Sequence, residues 1–150
     1  MAFLNPQDAE FIRRRFASEL KGDVTLEFFA PSAGGLVLPG QDGETAEYTR
    51  RILEEVAGLS DRVRLTVHSV VTEPEVVRRF GIERTPAIAF VGAEDYGIRY
   101  YGIPGGYEFA TLLELIIAVS VGRADIAESS KDALARLKES AHIQVFVTPT

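Results

Sequence analysis

The chain of 150 residues is 46% apolar and 25% charged, and 16 basic against 22 acidic side chains leave a net charge of −6. This is a globular composition with an acidic balance, which argues against nucleic acid or an anionic lipid surface as the main partner; no apolar run reaches the length of a membrane span. Cysteine is absent, so these residues offer neither a disulfide framework nor a thiolate nucleophile. The start, Met1-Ala2-Phe3-Leu4-Asn5-Pro6, lacks a basic, long apolar signal segment, which points to a cytoplasmic address.

Asn5-Pro6 opens the first predicted helix, with Asn5 as N-cap and Pro6 at the first helical position, where its missing N–H is no loss. Phe11, Ile12, Phe16 and Leu20 keep helical spacing on an inward face, while Arg13, Arg14 and Arg15 read as solvated surface. Lys21-Gly22-Asp23 ends that helix, and Val24 to Ala30 is a strand rich in aromatic and β-branched residues. Pro31 to Gly43, dense in Gly and Pro, is the longest expected loop. Glu44 to Leu59 reads as an amphipathic helix with Tyr48, Ile52, Leu53, Val56 and Leu59 inward. Arg62 to Val71 begins with the alternation of a half-exposed strand, and Glu73 to Phe80 is a short helix closed by Gly81 in the left-handed cap position.

Arg84-Thr85-Pro86 then meets the apolar run Ala87-Ile88-Ala89-Phe90-Val91. A proline has no ladder N–H, so it is tolerated at the first position of a buried strand, and an X-Pro bond there is open to the cis form. A turn, a second strand Ile98 to Ile103, Pro104-Gly105-Gly106 and a helix Glu108 to Val121 follow. Beyond Gly122, Ser129-Ser130 would cap a helix Lys131 to Ser140 with Ala133, Leu134 and Leu137 on one face, and Ile143 to Val147 would be a strand. The first strand-helix-strand unit should be parallel and the last two main strands a hairpin, giving an α/β chain with a central mixed four-stranded sheet.

Four strings resemble the tandem glutaredoxin-like protein disulfide oxidoreductases, which carry two thioredoxin units in one chain. They are Glu54-Glu55-Val56-Ala57-Gly58-Leu59-Ser60-Asp61; Phe80-Gly81-Ile82-Glu83-Arg84-Thr85-Pro86-Ala87-Ile88; Arg99-Tyr100-Tyr101-Gly102-Ile103-Pro104-Gly105-Gly106-Tyr107-Glu108-Phe109; and His142-Ile143-Gln144-Val145-Phe146-Val147-Thr148-Pro149-Thr150. The layout is also similar to the N-terminal domain of the flavoprotein that reduces alkyl hydroperoxide reductase, whose first unit likewise lacks a working dithiol. The resemblance implies a thioredoxin-like unit over 1–122 and, over 123–150, a linker, helix and first strand of an incomplete second unit. It implies thiol-disulfide exchange and redox homeostasis for a parent protein, with a catalytic dithiol expected just after Thr150 and no cofactor; for the chain as given it implies no catalysis. The alternative is a stand-alone, non-catalytic thioredoxin-fold module that binds a peptide or protein.

The resemblance also assigns positions. Gly43 and Ala46 stand where the family carries Cys-x-x-Cys at a helix N-terminus that lowers a thiol pKa, so the dithiol is degenerate. Arg84, Thr85 and Pro86 match the substrate-binding segment, where backbone pairs with an extended chain, though the same residues would also serve simply to start a strand. Gly105 and Gly106 match the helix start that holds a glutathione carboxylate or another anion, against a plain helix start. Expected partners are therefore a protein or peptide at the Thr85-Pro86 edge, and a second thioredoxin unit or another copy through the C-terminal strand. His68 and His142 have no metal-ligand spacing and read as partly buried side chains, Glu54-Glu55 as solvated surface, and Tyr96, Tyr100, Tyr101 and Tyr107 as packing between hairpin and last helix.

Overall fold

The computed structural model describes residues 2–31 and 43–148; most of the Pro31 to Gly43 stretch therefore lies outside the described residues. Asn5 caps α1 (Pro6–Glu19) as its sequence predicts, its side-chain oxygen accepting from the Asp8 N–H at 2.8 Å. β1 (Val24–Ala30) follows, then α2 (Gly43–Ala57), β2 (Val63–Ser69) and α3 (Pro74–Phe80), which ends at Gly81 with φ of 63°. β3 (Ala87–Val91) and β4 (Asp95–Tyr101) form the hairpin, and α4 (Glu108–Val121) closes the unit before α5 (Glu128–Ala135).

The sheet order is β2-β1-β3-β4. β1 runs parallel to β2 and antiparallel to β3, and β3 runs antiparallel to β4, so the mixed sheet is the one the element order requires. Its two faces are unequal. Val24, Leu26 and Phe28 of β1 with Ile88 and Phe90 of β3 meet α1, α2 and α4 through Ile12, Phe16, Ile52, Leu53, Val56, Leu112 and Ile116. Burying each such side chain contributes about 1.5–3 kcal/mol, which is why this face holds the large core. The opposite face carries a smaller cluster in which Phe29, Ala87 and Ala89 meet Phe80 and Ile82 under the short α3.

Several expectations are corrected. Phe11 is exposed rather than inward, because the α1 stripe that reaches the sheet runs through Ile12, Phe16 and Leu20. Tyr48 is also exposed, its ring edge-on to Phe3 at 6.1 Å. Glu55 is not simply solvated: its carboxylate accepts the Phe3 and Leu4 N–H groups at 2.6 and 2.9 Å and pins the N-terminal segment to α2. Arg15 leaves the solvated cluster to bridge Glu19 and Glu114. The strand expected at Ile143 to Val147 is not formed, and the last helix spans Glu128–Ala135 instead of Lys131 to Ser140. A strand needs a neighbour to take its N–H and C=O groups, and no strand of the described residues pairs with this segment. The α5 cap is Ala127, with no side-chain bond from Ser129 or Ser130, and Leu134, Leu137, Ile143, Val145 and Phe146 are exposed. No helix of the described residues is long and apolar enough to cross a membrane.

Candidate functional site

Thr85 and Pro86 are brought to the start of β3 by α3 and its Gly81 cap. The Thr85-Pro86 peptide bond is cis. Pro86 is buried and its carbonyl accepts the Gly102 N–H at 3.0 Å, which ties it to the end of β4. Thr85 is half-buried and stands two residues ahead of Ala87, the first residue of β3 in register with Phe29 on one side and Tyr101 on the other. The neighbouring Arg84 is exposed, its guanidinium 4.6 Å from the centre of the Tyr101 ring. Arg84, Thr85, Pro86 and Tyr101 thus form one corner of the sheet. An open groove of about 550 Å³ leads away from that corner along Glu83, Arg84, Arg99, Tyr100 and Tyr101, with residues 141–147 on its far side.

The floor of this corner is fastened by charge. Arg99 donates from Nε to the Phe80 carbonyl at 2.8 Å and grips both oxygens of Asp95 at 2.8 and 2.6 Å. Hydrogen bonding to Arg99 holds the Asp95 carboxyl below the usual carboxylate range, against the opposing effect of its partial burial.

Gly43 and Ala46 lie in the first turn of α2 with exposed Glu44 between them. Ala46 is buried in the main core, and the chain offers no thiol at either position. Gly105 and Gly106 precede α4, Gly106 at φ of 59°. Two of the N–H groups at that helix start, Glu108 and Phe109, already bond the Gly105 and Gly106 carbonyls at 3.2 and 3.3 Å, leaving fewer donors for an anion. Tyr107 does not pack between hairpin and helix; it is exposed, whereas Tyr100 donates its hydroxyl to the Ile103 carbonyl at 3.1 Å.

The elements of a thioredoxin-like fold are all present: a β-α-β unit parallel at β1 and β2, a β3-β4 hairpin begun by a cis Thr85-Pro86, and the glycine-led helix α4. The chain is a thioredoxin-like unit. Its fold matches the N-terminal N/C domain of alkyl hydroperoxide reductase AhpF from Enterococcus faecalis, with a TM-score of 0.73 and 25% identity over 89% of this chain and 61% of that one. It equally matches a protein disulfide oxidoreductase from Aeropyrum pernix, with a TM-score of 0.75 and 25% identity over 92% of this chain and 57% of that one. By sequence it is 28% identical to the AhpF component of the Staphylococcus aureus alkyl hydroperoxide reductase over 111 residues, 74% of this chain and 20% of the relative. The unit spans about one fifth of the length of the curated relatives it matches. No family model matches. The likeness is to redox proteins that carry thioredoxin-like units.

One cluster escaped the sequence reading. His68 at the end of β2 is 8% exposed, with Nε2 at 2.6 Å from Glu27 Oε2 and Nδ1 at 2.9 Å from Glu73 Oε1. Its ring stacks on Phe29 at 5.0 Å. Burial alone would lower its pKa, but the bonds to Glu73 and Glu27 outweigh that and raise it above the ordinary imidazole value. A charged residue on β1 was the available signal, since Glu27 sits in a strand whose other residues apart from Thr25 are apolar, and it needs a partner. His142, the other histidine, is exposed and begins no strand.

Proposed function

We propose that the unit is the redox-inactive, N-terminal half of a glutaredoxin-like protein disulfide oxidoreductase of the cytoplasm. In this reading it receives an extended polypeptide along Arg84, Thr85 and Pro86, and a Cys-x-x-Cys of a second unit, begun by 123–150, exchanges the disulfide. What supports the reading is that Thr85 stands ahead of the β3 ladder while Gly43 and Ala46 open α2 without a thiol.

The chemistry divides accordingly. Backbone N–H and C=O groups around Thr85 offer strand-type hydrogen bonds to an extended segment, and Arg84 over Tyr101 supplies a flat cationic wall beside it. Thiolate attack, mixed disulfide and resolution require sulfur and so belong to the second unit. Gly105 and Gly106 take the lesser role of an anion contact at the α4 start. A second reading, a stand-alone binding module, is favoured by the exposure of nearly all of residues 123–148, which add nothing to the core. In it the tail serves as a contact for another copy.

The test is amide NMR of the 150-residue chain titrated with an unfolded, reduced peptide. Shifts confined to residues 84–87 and 99–102 support the corner as a binding site, whereas shifts elsewhere or none refute it. Reading the coding sequence past Thr150 separates the two readings: a frame that runs on into a Cys-x-x-Cys whose product reduces insulin selects the first, and a frame that stops selects the second.

A further inference from the structure

The carboxylates on either side of His68 come from different elements. Glu27 projects from β1, the central strand, and Glu73 is the N-cap residue of α3. Glu73 makes no side-chain cap to its own helix. Its carboxylate turns back instead, one oxygen to His68 and the other to the Ser69 N–H at 2.8 Å. An ionised carboxylate only accepts hydrogen bonds, so both contacts of the ring are satisfied together only when both ring nitrogens carry protons. A neutral imidazole would set one lone pair against a carboxylate oxygen at under 3 Å.

We propose that His68 is a protonated latch that clamps α3 to the sheet between Glu27 and Glu73, and that its deprotonation releases the helix and the five residues leading to Pro86. The charged groups facing His68 are Glu27 from β1 and Glu73 from the α3 cap; β3 presents Ala87 and Ala89 to this face, and α3 presents Val76, Val77 and Phe80. Release travels by contact. His68 stacks on Phe29, Phe29 meets Phe80 edge-on at 5.5 Å, and the Phe80 carbonyl is held by Arg99 beside the Arg84-Tyr101 corner. Apart from this layer and the Arg99 bond to the Phe80 carbonyl, α3 meets no further buried cluster among the described residues that would resist its opening. The raised pKa of His68 fits the geometry and fixes the sign: the clamp is complete below the ordinary imidazole value and is lost as pH rises through the higher folded-state value. The latch stands whether or not a peptide docks at Thr85.

The chain contains two histidines, and the signals lost in His68→Gln assign the His68 ring. In nitrogen-15 imidazole NMR of the full chain, His68 should carry protons on both nitrogens at the start of the titration and lose one only above the ordinary imidazole value. Across that titration, exchange protection of α3 amides relative to α2 amides should fall about tenfold, the scale of losing one charge-assisted hydrogen bond. In His68→Gln this ratio should no longer depend on pH. If His68 titrates at or below the ordinary imidazole value, or if the α3 to α2 ratio stays constant through its titration, the latch is overturned. Should His68→Gln fail to fold, Glu73→Gln carries the same exchange test, expected to loosen α3 at every pH; α3 protection equal to that of the parent chain would overturn the proposal.

Discussion

Gly92, just after β3, packs against the last turn of α4. A Cβ added there would lie 2.6 Å from the Val119 carbonyl oxygen and 3.0 Å from Val119 Cγ1, whereas ordinary contact begins near 3.4 Å. The obstructing atom is helix backbone, so relief requires the β3-β4 turn or the last turn of α4 to move by about 0.8 Å, an overpacking that costs about 1–3 kcal/mol. For a chain of this size each kcal/mol shifts Tm by about 2–4 °C, so Gly92→Ala should lower Tm by about 2–12 °C. Gly22 presses on the same helix end less tightly, its added Cβ falling 3.1 Å from the Ser120 carbonyl, so Gly22→Ala should cost less. Because both substitutions push one turn of α4, their double variant should depart from additivity. The assay is urea and thermal unfolding of the three variants. An unchanged or higher Tm for Gly92→Ala would refute the reasoning, since replacing glycine without a clash stabilises by about 0.4–1 kcal/mol through the unfolded chain.

The Asp95-Arg99 pair predicts an acid limb. The Asp95 folded-state pKa is depressed, so its contribution is present above the unfolded carboxylate value and is lost as pH falls through the folded one; Asp95→Asn should flatten that part of a urea-midpoint profile, by at most about 1 kcal/mol for a pair this exposed. Gly43→Cys and Ala46→Cys, made singly, should differ in reaction with a disulfide reagent, the first fast at the half-buried start of α2 and the second slow because position 46 faces the core. A chain ending at Gly122 keeps the N–H that caps α4 on the Ala118 carbonyl, so its Tm should stay within about 2 °C of the longer chain. A light-scattering mass equal to one chain's own for each of the two would remove a dimer built through the tail.

Legibility from sequence followed the range of the interactions concerned. The N-cap at Asn5, the left-handed Gly81 and the proline before β3 are decided within a few residues, and each was readable. The sheet followed because a parallel β-α-β unit and a hairpin leave few ways to join four strands. Phe11 misled because helical spacing alone allowed a stripe one residue wider than the sheet covers. The His68 cluster lay out of reach for a different reason: Glu27 is 41 residues away, and only the β1-β2 register brings Phe29 beside His68 and Glu27 next to it. The 143–147 segment has the composition of a strand without a neighbour, and composition cannot supply one.

The register of the hairpin has a consequence for the company the unit keeps. Between Ala89 and Val91 the pairing slips, so that Arg99 and Asp95 oppose residues only two apart on β3, and Gly97 takes φ of 80° in the intervening stretch. The outer edge of the sheet is therefore crooked at the turn end and carries a fixed ion pair there, both of which discourage a foreign strand from zipping along its full length. Only the stretch near Ile98 to Tyr101 remains regular. The β4 edge, with its slipped register and its ion pair, is thus a poor template for runaway stacking in a chain whose tail exposes apolar residues.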